Sequence, residues 1–143
     1  MDIQIQKITN SDFESFKDIL VSEFDNFWNL QILKQEIESL NTYYIVAKYN
    51  NEVVGFAGIK MTFDNADLMN IVVKKDFRNK GIGTLLLKSL IDICNNFNIS
   101  KLFLEVCEDN ICAINLYNKL GFKEISIRKN YYKNKSAKIM LKK

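Results

Sequence analysis

Hydrophobic positions along the chain change their period several times, and each change predicts an element. Ile3, Ile5 and Ile8 lie at near-alternate positions and predict a first strand. Asn10-Ser11-Asp12 then offers a helix N-cap, and Phe13, Phe16, Ile19 and Leu20 share one face of a helix predicted over residues 12–24. Leu30, Leu33, Ile37 and Leu40 recur at three- and four-residue spacing, so a second helix is expected over 30–40. Residues 43–49 and 53–61 flank Asn50-Asn51, whose tolerance of positive φ suits a hairpin turn. A turn at Asp64-Asn65 leads into a strand over 68–73. A polar, glycine-bearing loop over 76–83 opens an amphipathic helix that runs to about residue 95. A short buried strand (102–106), a helix (110–120) closed by Gly121, and two last strands (122–129 and 137–141) complete the pattern. The order β-α-α-β-β-β-α-β-α-β-β predicts an α/β fold, with helices flanking a mixed, largely antiparallel central sheet.

Composition narrows this picture. With 143 residues, 48% hydrophobic, the chain can bury one core, and without proline, linker or repeat it reads as a single domain over 1–143. Apolar stretches such as 82–93 are interrupted well short of the roughly 20 residues that span a bilayer. The N-terminal residues lack the basic start and apolar run of a secretory signal, so a cytoplasmic protein is expected. Cys94, Cys107 and Cys112 show no C-x-x-C spacing and read as free thiols, with no metal expected. The absence of histidine removes Ser-His and Cys-His nucleophiles and H-E-x-x-H zinc chemistry, leaving carboxylates, Tyr, Lys, Cys or backbone amides for proton transfer near neutral pH. The net charge of +3 is small, although Lys129, Lys133, Lys135, Lys138, Lys142 and Lys143 crowd the C-terminal end as a solubilising tail or an attraction for an acidic partner.

The most informative segment runs from Met69 through Arg78-Asn79-Lys80-Gly81-Ile82-Gly83-Thr84 into Leu85-Leu86-Leu87. A strand enters a loop whose glycines expose successive N–H groups, and the loop opens onto a helix N-terminus, an arrangement suited to a pyrophosphate, with Arg78 and Lys80 adding positive charge. Leu86 stands where G-x-G-x-x-G needs its third glycine and no G-x-x-x-x-G-K-[ST] occurs, which disfavours dinucleotide and P-loop sites. A tight strand-to-helix turn without a ligand is the plainer reading of Gly81 and Gly83.

Arg78-x-x-Gly81-x-Gly83 after the strand Asn70-Ile71-Val72-Val73 resembles the acetyl-CoA motif of the GCN5-related N-acetyltransferase superfamily. Leu104-Glu105-Val106, Asn110, and Ala113-x-x-Leu116-Tyr117-x-x-Leu120-Gly121-Phe122 are similar to its later strand and helix. Within it, Leu104-Glu105-Val106, the Tyr117 to Phe122 run and Ile127-Arg128-Lys129-Asn130-Tyr131-Tyr132 resemble the bacterial RimI-type ribosomal-protein-alanine N-acetyltransferases. Lys75 and Phe27 replace prolines common in that group, and Arg78 a glutamine. The resemblance implies the acyl-CoA N-acyltransferase fold and acetyl-CoA as cosubstrate. It places the main chain of Ile71, Val72 and Val73 against the pantetheine and thioester, Asn79, Lys80, Gly81, Ile82, Gly83 and Thr84 around the pyrophosphate, and Asn110 on another part of the cofactor. Glu105 is implied as proton acceptor and Tyr117 as proton donor.

The chemistry asks for such a pair. An α-amine with a pKa near 8 is already partly neutral, so a carboxylate acting through water suffices as base, and a Tyr hydroxyl can protonate the departing thiolate. An exposed amide, with Val72 the candidate, would stabilise the oxyanion. Glu105 interrupts an apolar run, where a buried carboxylate is expensive, although a solvent-facing Glu on an alternating strand also fits. Tyr117 reads equally as a tyrosine at the edge of the core. An acetyl-cysteine at Cys107 lacks a histidine to activate it. Phe27, Trp28, Tyr131 and Tyr132 either line an acceptor groove or only pack. The expected acceptor is the N-terminal alanine amine of a ribosomal small-subunit protein, and the expected state is a monomer or weak dimer. Alternatives are another amine (an internal lysine, a polyamine, an amino sugar), a CoA-binding module without catalysis, and a basic nucleic-acid binder, for which no recognition motif is present.

Overall fold

The computed structural model describes residues 1–24, 29–132 and 135–143, apart from the side chains of residues 130–132. In chain order the elements are β1 (Gln4–Lys7), α1 (Asn10–Phe16), α2 (Leu30–Glu38), β2 (Thr42–Tyr49), β3 (Glu52–Thr62), β4 (Asn65–Val73), α3 (Ile82–Asn96), β5 (Lys101–Cys107), α4 (Ile111–Lys119), β6 (Lys123–Tyr132) and β7 (Lys135–Lys142). The strands form one seven-stranded sheet in the order β1-β2-β3-β4-β5-β7-β6. Every neighbouring pair is antiparallel except β4 and β5, which are joined through α3.

The interior strand β3 is buried continuously from Val53 to Ile59 because both faces of the sheet are covered. On one face α3 and α4 pack Ile82, Leu86, Leu90 and Ile114 against Ala57, Leu104 and Met140. On the other, Phe13, Phe16, Leu20, Phe24 and Leu33 meet Tyr44, Val46, Phe56 and Val72. The rings of Phe16 and Phe56 stack at 5.2 Å.

The periodicity misplaces a few boundaries. The first helix is capped by Thr9, one residue before the expected triplet: its hydroxyl accepts from the Asp12 N–H (3.1 Å) while the Asp12 carboxylate accepts from the Thr9 N–H (3.0 Å). That helix is also not continuous to residue 24, since a 3₁₀ turn (Lys17–Ile19) and a π turn (Leu20–Phe24) follow it. The change of winding keeps both Leu20 and Phe24 fully buried against the sheet. Helix α2 stops at Glu38, short of 40: Ser39 turns extended, and the Thr42 hydroxyl takes the Glu36 and Ser39 carbonyls. Leu40, expected on its apolar face, is fully exposed, and Leu30 is partly so. Asn50 and Asn51 both adopt positive φ as the hairpin requires, whereas the next turn sits at Phe63-Asp64, because Thr62 already pairs with Asn65.

Candidate active site

Strands β4 and β5 create the opening. They pair only where residues 65–67 oppose residues 101–103. Met69 is then an extra residue in β4, since Gly58 opposes Asn70 while Ile59 opposes Leu68, and this bulge bends the strand. Residues 70–73 thereby present an unpaired edge to the far half of β5, and a parallel sheet opens into a wedge. The Lys74 N–H donates to the Val54 carbonyl at 2.8 Å, which with the register Phe56↔Val72 directs the Val72 N–H into the β3 ladder. The amides of Ile71 and Val73, rather than that of Val72, therefore face the opening. This corrects the expected oxyanion donor.

On the α3/α4 face the wedge leads to a cavity of about 480 Å³. Ile71, Val72, Val73, Arg78, Asn79, Gly81, Ile82, Gly83, Thr84, Asn110 and Tyr117 all line it, so the sequence brings these expected cofactor residues together; Lys80 is exposed in the same loop, outside the lining. The loop earns its shape locally. Gly81 has φ +83° and caps α3, and Asn79 has φ +62°. The first intrahelical bond runs from Leu85 N–H to the Gly81 carbonyl, which leaves the N–H groups of Ile82, Gly83 and Thr84 without helical acceptors at the positive end of the helix. Gly83 is helical and a Cβ there would meet only a Val73 methyl at 4.0 Å, so packing does not demand glycine. What its absent side chain leaves open is close approach to those amides.

Arg78 braces this loop. Its Nε donates to the Val73 carbonyl (3.0 Å) and a terminal nitrogen to the Phe24 carbonyl (2.6 Å), while Lys75 Nζ donates to the Ser22 carbonyl (3.1 Å). The π turn thus has its open carbonyls satisfied by cations of the β4–α3 loop. Arg78, expected to add positive charge beside the phosphates, lines the cavity while its guanidinium also donates to these backbone carbonyls. Asn110 caps α4, its Oδ1 accepting from the Ala113 N–H at 3.3 Å.

Tyr117 is 6% exposed, packs edge-on against Phe122 (5.8 Å), and makes no hydrogen bond through its hydroxyl among the described residues. Burial pushes its pKa up, so it holds its proton, and a buried hydroxyl facing a cavity calls for a partner there.

Alternation along β5 turns Leu104 and Val106 into the α3/α4 core and Glu105 to the opposite face, so Glu105 and Tyr117 lie on the two sides of the sheet at the wedge. Glu105 is half-exposed and ion-paired with Arg128 of β6 at 2.8 Å. It lines a second cavity, about 610 Å³, with Lys60, Asp67, Met69 and Ile139. Burial pushes the Asp67 pKa up, Lys60 opposes this and the nearby Glu105 charge adds to it. Through Lys60 and Met69 this space adjoins a third, bounded by Ile32, Gln35 and Glu36 of α2. There Glu36 accepts from the hydroxyl of buried Tyr44 (2.7 Å) and from Asn70 Nδ2 (3.2 Å), tying α2 to the β4 bulge. Burial, then the Glu36 carboxylate, keeps Tyr44 protonated far beyond the usual tyrosine range.

Sequence reasoning missed Asp67, Arg128, Glu36, Tyr44 and Asn70 as parts of this site. Only cross-strand register reveals them. Phe27 and Trp28 lie outside the described residues, as do the side chains of Tyr131 and Tyr132. Cys107 Sγ donates to Asp109 Oδ1 (2.9 Å), and Cys112 is exposed on the cavity of the α3/α4 face.

The model of the acetyltransferase (GNAT) family matches residues 6–122. The chain belongs to this family. It is 37% identical over 135 residues to the ribosomal protein bS18-alanine N-acetyltransferase of Haemophilus influenzae, covering 93% of this chain and 90% of that one. The crystal structure of the ribosomal-protein-S18-alanine N-acetyltransferase from Escherichia coli superposes with a TM-score of 0.90 at 29% identity, covering 99% of this chain and 93% of the other. A GNAT acetyltransferase from Elizabethkingia anophelis with acetyl-CoA bound gives 0.81 at 26% identity, covering 99% and 97%. As a GNAT protein this chain is an acetyl-CoA-dependent N-acetyltransferase.

Proposed function

We propose that the protein acetylates the N-terminal amine of an alanine-initiated ribosomal small-subunit protein in the cytoplasm, by direct transfer from acetyl-CoA. The observation that carries this reading is the wedge between β4 and β5, with a carboxylate opening to one face and a buried tyrosine hydroxyl to the other. Two substrates then approach from opposite faces and meet between the strands. The full-length likeness to the Haemophilus influenzae enzyme supports the choice of acceptor.

Acetyl-CoA lies along the α3/α4 face, its pyrophosphate on the amides of residues 79–84 and its pantetheine along the free edge of residues 71–73. The amine enters beside Glu105. Glu105, acting through water, removes a proton as the nitrogen attacks the thioester carbonyl, and an outward amide of Ile71 or Val73 receives the developing oxyanion. On collapse, Tyr117 gives its proton to the CoA sulfur, which its raised pKa equips it to hold until then. Arg128, 2.8 Å away, orients the Glu105 carboxylate while the site is empty.

The test compares thiol release from acetyl-CoA with a peptide bearing a free N-terminal alanine and with the same peptide blocked at its N-terminus but carrying an internal lysine. Reaction of the free N-terminus alone is the expected result. Reaction of the blocked peptide would overturn the acceptor assignment, and no reaction with either would point to a different amine.

A further inference from the structure

Helix α2 packs Leu33 and Ile37 toward the sheet and turns Ile32, Gln35, Glu36 and Ser39, spaced three and four residues apart, onto a cavity of about 260 Å³. Lys60 and Met69 line this cavity and also the one that holds Glu105, so a continuous path runs from the wedge to α2. Glu36 is fixed in the wall of that path. The Thr42 hydroxyl grips its backbone carbonyl, and the Tyr44 hydroxyl (2.7 Å) and Asn70 Nδ2 (3.2 Å) both donate to one carboxylate oxygen, Oε2. The other oxygen, Oε1, accepts no hydrogen bond among the described residues, and no lysine or arginine among them pairs with Glu36. Lys60 opposes Asp67 across β3 and β4 and acts on its charge, while Arg128 is committed to Glu105. Three carboxylates along the path therefore stand against two cations, and Glu36 is the one left over.

A held carboxylate with one oxygen open, in a pocket whose apolar walls are Met69 and a 54% exposed Ile32, matches a side chain with an aliphatic stem and a cationic head. We propose that Glu36 is a specificity-determining residue, and that the α2 pocket takes an arginine or lysine side chain of the acceptor at the position after its reactive N-terminal residue. Distance sets that position. Asn70 directly precedes Ile71, whose amide faces the opening, and Glu36 is reached from Asn70 by one side chain and one hydrogen bond. Successive Cα atoms of the acceptor lie about 3.8 Å apart, so a long side chain on its second residue spans the gap while the amine stays beside Glu105. The inference rests on the reading of the acceptor as a protein N-terminus, and it adds which N-termini react well.

The test uses peptides with a free N-terminal alanine that differ only in the second residue: arginine, lysine, norleucine (a lysine stem without its charge) or glutamate. Steady-state acetyl transfer to each is measured for the wild type, E36Q and E36K. The wild type is expected to favour arginine and lysine over norleucine by roughly fivefold in kcat/KM, the upper end for a partly exposed ion pair, and through KM rather than kcat because the contact lies away from the reacting atoms. E36Q should abolish that preference whatever its absolute rate, since glutamine still accepts from Tyr44 and Asn70 but carries no charge, and E36K should prefer the glutamate peptide. Raising the salt concentration should shrink the wild-type preference. A wild type indifferent to charge at the second residue, or an E36Q that slows every peptide while keeping the wild-type preference, would overturn the assignment and leave the N-terminal acceptor reading standing. Failure of the wild type to turn over any of these peptides would instead sink that reading, and the pocket assignment with it.

Discussion

Gly58 offers the sharpest structural test near the site. A Cβ at this position would lie 2.4 Å from two ring carbons of Tyr44 and 2.5 Å from a third, against the roughly 3.5–4.0 Å at which carbon atoms pack. Relief needs the ring to move by more than an ångström. The ring cannot do so cheaply: Tyr44 is 2% exposed, and its hydroxyl is tied to Glu36 and Asn70, each at 2.7 Å. Overpacking of this kind costs about 1–3 kcal/mol, and loss of a hydrogen bond to a charged acceptor adds about 1.5–3 kcal/mol. G58A should therefore destabilise the protein by roughly 3–5 kcal/mol, a drop in Tm of about 10–15 °C for a chain of this size. Urea unfolding of the wild type, G58A, Y44A and the double variant reads this directly. In the Y44A background the same alanine should cost less than about 1 kcal/mol, because the clash has lost its partner. A small cost of G58A in the wild type, or an equal cost in both backgrounds, would refute the reasoning. Since Asn70 belongs to the β4 bulge, G58A should also slow transfer.

Y117F should lower kcat by about 100-fold through loss of the proton donor, with no loss of stability in the free protein, because its hydroxyl has no partner among the described residues; steady-state rates and thermal melts read the two effects separately. Burial pushes the Asp12 carboxyl up, but the Lys48 ammonium at 2.7 Å and the Thr9 amide and hydroxyl outweigh it and hold it below the ordinary aspartate range. Its contribution to stability is therefore present above about pH 4 and is lost as pH falls through the lower folded value; D12N should flatten that part of a stability-against-pH curve. Cys112 should be alkylated by iodoacetamide first and be shielded by CoA, whereas buried Cys94, its pKa pushed up to about 11, should resist; peptide mass mapping decides.

Local pattern made the element order legible, because strand and helix periods are written into neighbouring residues. The α3 loop was equally legible, since Gly81 and Gly83 sit where a strand meets a helix. The wedge was not. It depends on a bulge at Met69 and on where β4 stops pairing with β5, and both are set by register between distant segments. The partnership of Arg128 with Glu105 spans the sheet over β7, which separates β5 from β6, so no local spacing announces it. Assigning the outward amides to Ile71 and Val73 likewise needed one hydrogen bond, from Lys74 to Val54, to fix the parity of the ladder. Arg78 shows the reverse: its place in the loop was readable, but the carbonyl of Phe24 that it grips lies 54 residues away.

The most direct test of the account is the pH dependence of acetyl transfer to a free N-terminal alanine peptide by the wild type and E105Q. With a carboxylate base assisting an amine of pKa near 8, E105Q should be slower by about 100-fold or more at pH 7 and should recover progressively as pH rises and the amine deprotonates unaided. A wild-type rate for E105Q at pH 7, or a deficit that stays constant with pH, would contradict the assignment of Glu105 as the base and with it the chemistry proposed for the wedge.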